Sequence, residues 1–317
     1  MRELLKKTAA YRIIASDKKE NTLSHAYLIT SADEDTLSDY LTELAKLIVC
    51  KDEEYCDGCR DCKLIASHVH PDVMFYPKEK KLSVADADEI VEESVVKPLE
   101  LDKKVFVINK IEELNQYQNK LLKTVEEPPK NVVLLIGASR EAAVLPTIRS
   151  RVKTVNIPLF TKKELLEYGK TAFDDKARLE VAVNLSGGKV GELRRFYADE
   201  TAMELYSLCV SLLHSMRSAS DVLYFAAKLA DYKIADVISV LKVLLGKIGR
   251  TVCGEEEKDN KIKEAAALFT VGAVVDIVGR LNELEKSVNF NGNKTMLIDE
   301  VLFAVMEGKH RWQRLSV

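Results

Sequence analysis

The sequence contains no apolar stretch that approaches the roughly 20 residues needed to cross a bilayer. The best candidate, Val132 to Ile136, is far too short. Residues 1–12 are charged and amphipathic, without the continuous apolar core that a secretory signal requires. We therefore expect a cytoplasmic protein that makes no use of a membrane.

The sequence also lacks an excess of charge of either sign. Its 47 Lys and Arg residues are balanced by 50 Asp and Glu residues, which leaves a formal net charge of -3. A protein that grips nucleic acid by itself usually carries a basic field, so any DNA contact must come from a local patch or from a partner. Hydrophobic residues make up 47% of the 317 residues, which is enough for two or three packed domains.

The first half of the sequence alternates short β-rich apolar runs with segments of helical periodicity. This alternation is typical of a parallel sheet covered by helices. A capping pair, Ser83 and Asp86, predicts the start of one helix, and another follows Asn115 and ends before Pro128. The predicted strands are Ala26–Ile29, Val73–Tyr76, Val105–Ile108, Val132–Ile136 and Thr154–Ile157.

After Pro158 no further β-rich run occurs, and the remaining segments all have helical periodicity. The predicted fold class is therefore α/β plus all-α. Residues 159–200 form a small helical module with a turn at Ser186-Gly187-Gly188, and residues 201–317 form a helical bundle. The predicted long helices of this bundle are Met203–Met216, Ser220–Asp231, Ile234–Val252, Lys261–Asn289 and Thr295–Glu307.

Four of the six cysteines lie within thirteen residues, in the pattern C-x5-C-x2-C-x2-C: Cys50, Cys56, Cys59 and Cys62. In a reducing compartment such a cluster favours metal binding over disulfides. Four thiolates on one short loop match a structural zinc site, which leaves no ligand position for a reactive water. Unligated cysteines are the main alternative, and a redox pair is a weaker one because no thioredoxin-like context is present.

The sequence also lacks a phosphate-binding loop after its first strand. Residues 31–38 contain no glycine to open the backbone and no lysine to reach phosphates, and instead carry Asp33, Glu34 and Asp35. The third strand runs into Asn109-Lys110, where an ATPase would place acidic residues that hold magnesium. Both losses argue against ATP binding and hydrolysis by this chain.

Several stretches resemble one family of replication proteins. The most specific is Leu-Leu-Lys-Thr-Val-Glu-Glu-Pro-Pro at residues 121–129. The others are the cysteine cluster and residues 24–28, 70–73, 104–108 and 145–151, the last ending in a Ser-Arg step. With these motifs and no phosphate loop, the chain resembles the delta-prime family of clamp-loader subunits of bacterial DNA polymerase III. Its first cysteine spacing is shorter than usual, which predicts either a tighter zinc loop or weaker binding by Cys50.

The resemblance implies an AAA+ RecA-like domain at residues 1–158 with a zinc module at 50–62, a helical lid at 159–200 and a helical collar at 201–317. It implies a pentameric ring with gamma/tau-like ATPase subunits and a delta subunit, acting on the sliding clamp and primer-template DNA. Arg151, with Ser150, matches the family's arginine that reaches the ATP of a neighbouring subunit in trans. Arg149 is a nearby competitor for this role. A lone Ser-Arg step would favour an ordinary surface ion pair, but the surrounding family motifs favour the trans-acting role for Arg151.

The resulting expectation is a subunit with no ATPase activity of its own, within a DNA-directed DNA polymerase holoenzyme. It binds structural zinc but no ATP, and supplies Arg151 to a neighbour. The alternative is an active AAA+ clamp-loader ATPase of the gamma/tau type, which ATP titration would separate. A stand-alone zinc-dependent DNA-binding module is a third possibility, against which the balanced charge argues.

Overall fold

The chain forms two compact units in a computed structural model that describes residues 1–257, 259–288 and 293–313. The first unit comprises residues 1–174 and 186–192, and the second comprises residues 175–185 and 193–317. The three domains predicted with boundaries at residues 158 and 200 stay a prediction.

Five parallel strands form one sheet in the first unit, in the order β2-β3-β4-β1-β5. Every residue of β1, β3 and β4 is buried, as expected where helices cover both faces of a parallel sheet. Where the first strand pairs with the fourth, Leu28 lies opposite Ile136. The predicted strands are confirmed and extend as β1 Ala26–Ser31, β2 Val73–Tyr76, β3 Lys104–Ile108, β4 Val132–Ala138 and β5 Lys153–Ile157.

Helices connect these strands, and side-chain caps fix where several of them begin. The Ser83 side chain accepts a hydrogen bond from the Asp86 amide at 3.2 Å, and Asp86 accepts one from the Ser83 amide at 2.8 Å, which confirms the predicted capping pair. The helices are α1 Arg2–Leu5, α2 Ala9–Lys19, α3 Leu37–Val49, α4 Arg60–Ala66, α5 Val84–Ser94, α6 Leu122–Glu126, α7 Pro146–Arg149 and α8 Lys162–Ala172.

The segment before α6 is tighter than the sequence predicts. Residues Ile111–Leu121 form 3-10 turns, and Asn115 interrupts them with a φ of 48°. Asparagine tolerates this left-handed conformation better than most residues. The helix predicted after Asn115 is therefore α-helical only in α6, where Val125 packs into the core beneath the sheet.

The rest of the described chain is helical. α10 begins in the first unit, and the other helices here belong to the second: α9 Lys176–Leu185, α10 Val190–Ala198, α11 Ala202–Ser215, α12 Ala219–Leu229, α13 Ile234–Val252, α14 Asn260–Ala266, α15 Val271–Val288 and α16 Lys294–Gln313. Within the described ranges no helix is both long enough and apolar enough to span a bilayer.

The helix predicted over Lys261–Asn289 is wrong as a single element, and its last residue lies outside the described residues. The chain breaks between α14 and α15, where the Thr270 hydroxyl accepts a hydrogen bond from the Ala273 amide at 3.1 Å. This is an N-cap, which starts a new helix. Apolar residues continue through the break, with Phe269 buried, so hydrophobic periodicity alone does not reveal it.

The predicted fold class, α/β plus all-α, is confirmed: a five-stranded parallel sheet covered by helices is followed by an all-helical part. One buried carboxylate secures the edge of this sheet. Asp72, which precedes β2 and is fully buried, accepts hydrogen bonds from the amides of Leu99, Glu100 and Leu101 at 2.7, 2.6 and 2.8 Å. Burial opposes ionisation of Asp72, but these three amides outweigh it and hold its pKa below the ordinary value.

We predict that Asp72→Asn lowers the free energy of unfolding by about 2 kcal/mol at neutral pH, because an amide cannot accept all three hydrogen bonds. The lowered pKa makes the Asp72 contribution fully present above about pH 4, and it is lost as the pH falls further. Urea unfolding of both proteins between pH 7 and pH 3 should therefore show a gap that narrows in acid. The exposed Asp102→Asn serves as the control, and equal stability of Asp72→Asn and wild type at pH 7 would contradict the assignment.

Candidate functional site

The four clustered cysteines lie in the loop between α3 and α4 and at its two ends. Cys50 follows the last residue of α3, and Cys59 caps the first turn of α4 through its sulfur, which accepts a hydrogen bond from the Cys62 amide at 3.4 Å. The four sulfur atoms all lie within 4.8 Å of one another. The short spacing between Cys50 and Cys56 does not keep Cys50 out of the cluster, because their sulfur atoms lie 3.8 Å apart.

The surroundings of these sulfurs fit a thiolate-metal site. The amides of Cys59 and Gly58 hydrogen-bond to Cys56 and lower the pKa of its thiol. Burial raises the pKa of Cys62, so this thiol needs a cation to become a good ligand. Four soft ligands at mutual contact match tetrahedral zinc, and such a set fills every coordination position.

A charged network holds the far side of this loop. Lys46 of α3, nearly buried, donates hydrogen bonds to Glu43 and to Asp57, both at 2.9 Å. The Tyr55 hydroxyl donates to the same Glu43. Asp57 has a left-handed backbone with a φ of 56°, which these contacts help to maintain. The sequence analysis missed these residues, although a lysine one turn before Cys50 is a usable signal.

The loop after β1 occupies the position where a nucleotide-binding core would hold phosphates. Its Asp33 is buried, with 3% of its surface exposed. The Asp33 carboxylate accepts hydrogen bonds from the Val190 amide at 2.7 Å, the Gly191 amide at 3.3 Å and the Tyr40 hydroxyl at 3.0 Å. The chain thus places its own carboxylate at the first turn of α10, where amides are free to bind an anion.

Glycine is required at position 191 for this close approach. A Cβ atom there would lie 2.8 Å from the Asp35 Cβ and 2.9 Å from an Asp33 carboxylate oxygen. Both are closer than real Cβ contacts allow, so any larger residue would push the first turn of α10 away from the loop. The sequence analysis recognised Asp33 as repelling phosphate but missed its bond to residues 157 positions away.

A second contact joins the two loops that an ATPase would use. Lys110 follows β3 with a φ of 55°, and its ammonium lies 3.5 Å from the Glu34 carboxylate in the loop after β1. Ligands of open α/β sheets bind at the carboxyl ends of the strands, which is where both residues lie. Glu34 and Lys110, which stand where an ATPase has its functional residues, therefore form an ion pair with each other.

The Ser150-Arg151 step follows α7 at the surface. The Arg151 guanidinium donates to the Thr147 carbonyl at 2.9 Å and lies 3.1 Å from the Glu126 carboxylate of α6, with 42% of its side chain exposed. The Ser150 hydroxyl donates to the same Thr147 carbonyl at 3.1 Å. Arg149 is less exposed, lies 3.5 Å from Glu141, and keeps its Nε buried. The structure brings Arg151 against the most specific family motif, a pairing that the sequence analysis did not predict.

We predict that Asp33→Asn speeds hydrogen exchange of the Val190 and Gly191 amides by about tenfold or more, because their charged acceptor is lost. Exchange measured residue by residue on the whole chain reports this directly. The exposed Asp35→Asn, two residues away, should leave both amides unchanged. Unaltered exchange in Asp33→Asn would mean that the carboxylate does not hold this turn.

Comparisons with known proteins agree with these features. A family model described as DNA polymerase III, delta subunit, matches residues 6–161. The DNA polymerase III subunit delta' of Bacillus subtilis is 30% identical over 148 residues, which are 45% of each chain. Its counterpart in Haemophilus influenzae is 29% identical over 183 residues, 55% of this chain and 56% of the relative. The chain thus spans about half the length of the curated relatives it matches.

Among solved structures, a gamma-subunit-related protein of DNA polymerase III from Thermotoga maritima is 18% identical, with a TM-score of 0.46. That match covers 94% of this chain and 98% of the other. The family match carries the assignment, since residues 6–161 contain the sheet, the cysteine cluster and the Ser-Arg step. Residues 6–161 are thus similar to the delta-subunit family of DNA polymerase III, and both curated relatives above are delta' subunits, which supports a delta-prime clamp-loader assignment.

Proposed function

We propose that this chain is a non-catalytic clamp-loader subunit that helps to load the sliding clamp onto primed DNA. It assembles with gamma/tau-like ATPase subunits and a delta subunit in a pentameric ring, and meets clamp and primer-template DNA through that complex. The proposal rests on the delta-prime relatives and on the replaced residues at the ends of β1 and β3.

The observation that carries the non-catalytic part is the position of the Asp33 carboxylate. It is buried and bonded to the amides of Val190 and Gly191. A nucleotide phosphate brought to these amides would meet a negative charge in a region of low dielectric, where like charges repel strongly. Displacing Asp33 would leave a buried carboxylate without donors, which costs several kcal/mol. The amides of Val190 and Gly191, which could otherwise bind a phosphate, are therefore already bonded to Asp33.

Arg151 is the residue proposed to act on a neighbour. Its partner Glu126 is itself 42% exposed, and surface ion pairs of this kind contribute about 0–1 kcal/mol. A γ-phosphate with developing charge is a stronger partner for a guanidinium, so the side chain can leave Glu126 at little cost. The buried Nε of Arg149 makes that side chain less free to move.

The four cysteines are proposed to bind one structural zinc ion. In this role the metal supplies folding energy to residues 50–62 and takes no part in hydrolysis, because four protein ligands leave no open position. The chain's own residues provide the soft donors and the amide-sulfur hydrogen bonds described above.

We predict that the isolated chain shows no saturable heat of binding with ATP and magnesium in isothermal titration. The carboxylate of Asp33 and the Glu34–Lys110 pair leave phosphates without a cationic or amide cradle. A gamma/tau-like subunit titrated under the same conditions provides the positive control. Stoichiometric binding of ATP to this chain would favour an active ATPase instead.

We predict that Arg151→Ala lowers the clamp- and DNA-stimulated ATPase rate of the reconstituted complex by about tenfold or more, since an arginine finger contributes about a thousandfold or more at its own site. Gel filtration first establishes that the variant enters the ring. Arg149→Ala, measured alongside, should retain most of the rate. The opposite ranking would assign the role to Arg149, and full activity of both variants would leave the chain a scaffold without a trans-acting arginine.

A further inference from the structure

A lysine distant in sequence reaches the first turn of the cysteine loop. Lys18 lies near the end of α2, and its ammonium donates hydrogen bonds to the carbonyl oxygen of Cys50 at 2.5 Å and to that of Asp52 at 2.6 Å. The two acceptors lie 32 and 34 residues further along the chain. A single side chain therefore fixes the backbone where the loop leaves α3.

The charge of this lysine also lies next to the metal ligands. The Lys18 ammonium binds the carbonyl of Cys50, whose sulfur atom belongs to the cluster. Cys50 and Cys62 are almost fully buried, at 2% and 1% exposure. Four thiolates around one divalent cation carry a net charge of about -2, and buried net charge is costly unless an opposite charge lies close by.

Lys46 and Lys18 contact different parts of the loop. Lys46 binds the carboxylate of Asp57 near the second ligand, whereas Lys18 binds backbone carbonyls next to the first ligand. The Lys46 charge is already balanced by Glu43 and Asp57 at 2.9 Å. The hydrogen bonds of Lys18 go to neutral carbonyls, and its positive charge acts on the cysteine thiols as well as on the nearby carboxylates of Asp52 and Glu53.

We propose that Lys18 is a positioning residue of the four-cysteine metal site, which raises its affinity for zinc by holding the Cys50–Asp52 turn and by offsetting the charge of the thiolates. The inference rests on the zinc site of the proposed function. Groups next to the ligands of a metal site commonly change its affinity by about 10- to 100-fold, although they never touch the metal.

The test is the zinc affinity of the full chain, measured by competition with a chelator of known affinity. We expect Lys18→Met to weaken zinc binding by about 10- to 100-fold, because it removes both the charge and the two hydrogen bonds. Lys18→Arg should recover most of the affinity, since it keeps the charge and the donors. The matched control is Lys19→Met, one residue away, because Lys19 is 70% exposed and lies 3.5 Å from Glu53 at the surface.

Cobalt substitution separates positioning from general loss of structure. The absorption spectrum of the cobalt-substituted protein reports tetrahedral thiolate coordination. At saturating cobalt, the spectrum of Lys18→Met should match that of the wild type. Circular dichroism shows whether each variant folds. If Lys18→Met does not fold, Lys18→Gln gives the same comparison, with donors retained and the charge removed, and we expect it to weaken zinc binding by about tenfold.

The outcomes distinguish this inference from the proposed function. Zinc affinity that is equal in wild type, Lys18→Met and Lys18→Gln would overturn the role of Lys18 while leaving the metal site in place. A wild-type chain that binds no zinc would overturn both the metal site and this inference. Neither result bears on the proposed role of Arg151, which is tested by the ATPase rate of the assembled complex.

Discussion

A buried carboxylate needs donors, and the way in which Asp33 obtains them governs what this α/β core can do. The core has the parallel sheet and the strand-end loops that other proteins use to bind nucleotides. Its own Asp33 takes the amides of Val190 and Gly191 as partners, together with the Tyr40 hydroxyl. The interaction is internal to the chain, and in the proposed function it closes this part of the fold to nucleotide. The proposed role in the ring is consistent with this, because a subunit that binds no nucleotide can still present a residue such as Arg151 to a neighbour.

The cysteine loop obeys the same electrostatic rule, because its thiolates would also be buried anions that need positive partners. Its backbone is held from outside the loop by Lys18 of α2, which binds the carbonyls of Cys50 and Asp52, and by Lys46 of α3, which binds Asp57. Arg2 adds a contact with Glu54 at 3.1 Å and lies over the Tyr55 ring. These contacts hold the backbone of the loop around the sulfur atoms, and the proposed zinc ion would add to its stability as a structural ion.

Sequence reasoning predicted what depends on local pattern. The five strands follow from continuous apolar runs, the start of α5 from the Ser83–Asp86 pair, and the cysteine cluster from spacing alone. It failed at Thr270, where one hydroxyl ends the helical run although the apolar residues continue. It also missed the partners of Asp33, Arg151 and Lys18, which lie 157, 25 and 32 residues away. Contacts of this range depend on how the elements pack, and no local spacing encodes them.

The most direct test of this account is a structure of the assembled clamp loader with a non-hydrolysable ATP analogue and magnesium. The account predicts that a guanidinium nitrogen of Arg151 leaves Glu126 and lies within hydrogen-bond distance of the γ-phosphate held by the adjacent subunit. It also predicts that Asp33 keeps its bonds to the first turn of α10, with no nucleotide between them. Nucleotide bound at the ends of β1 and β3 in this chain, or an Arg151 that remains on Glu126 beside an occupied neighbouring site, would contradict it.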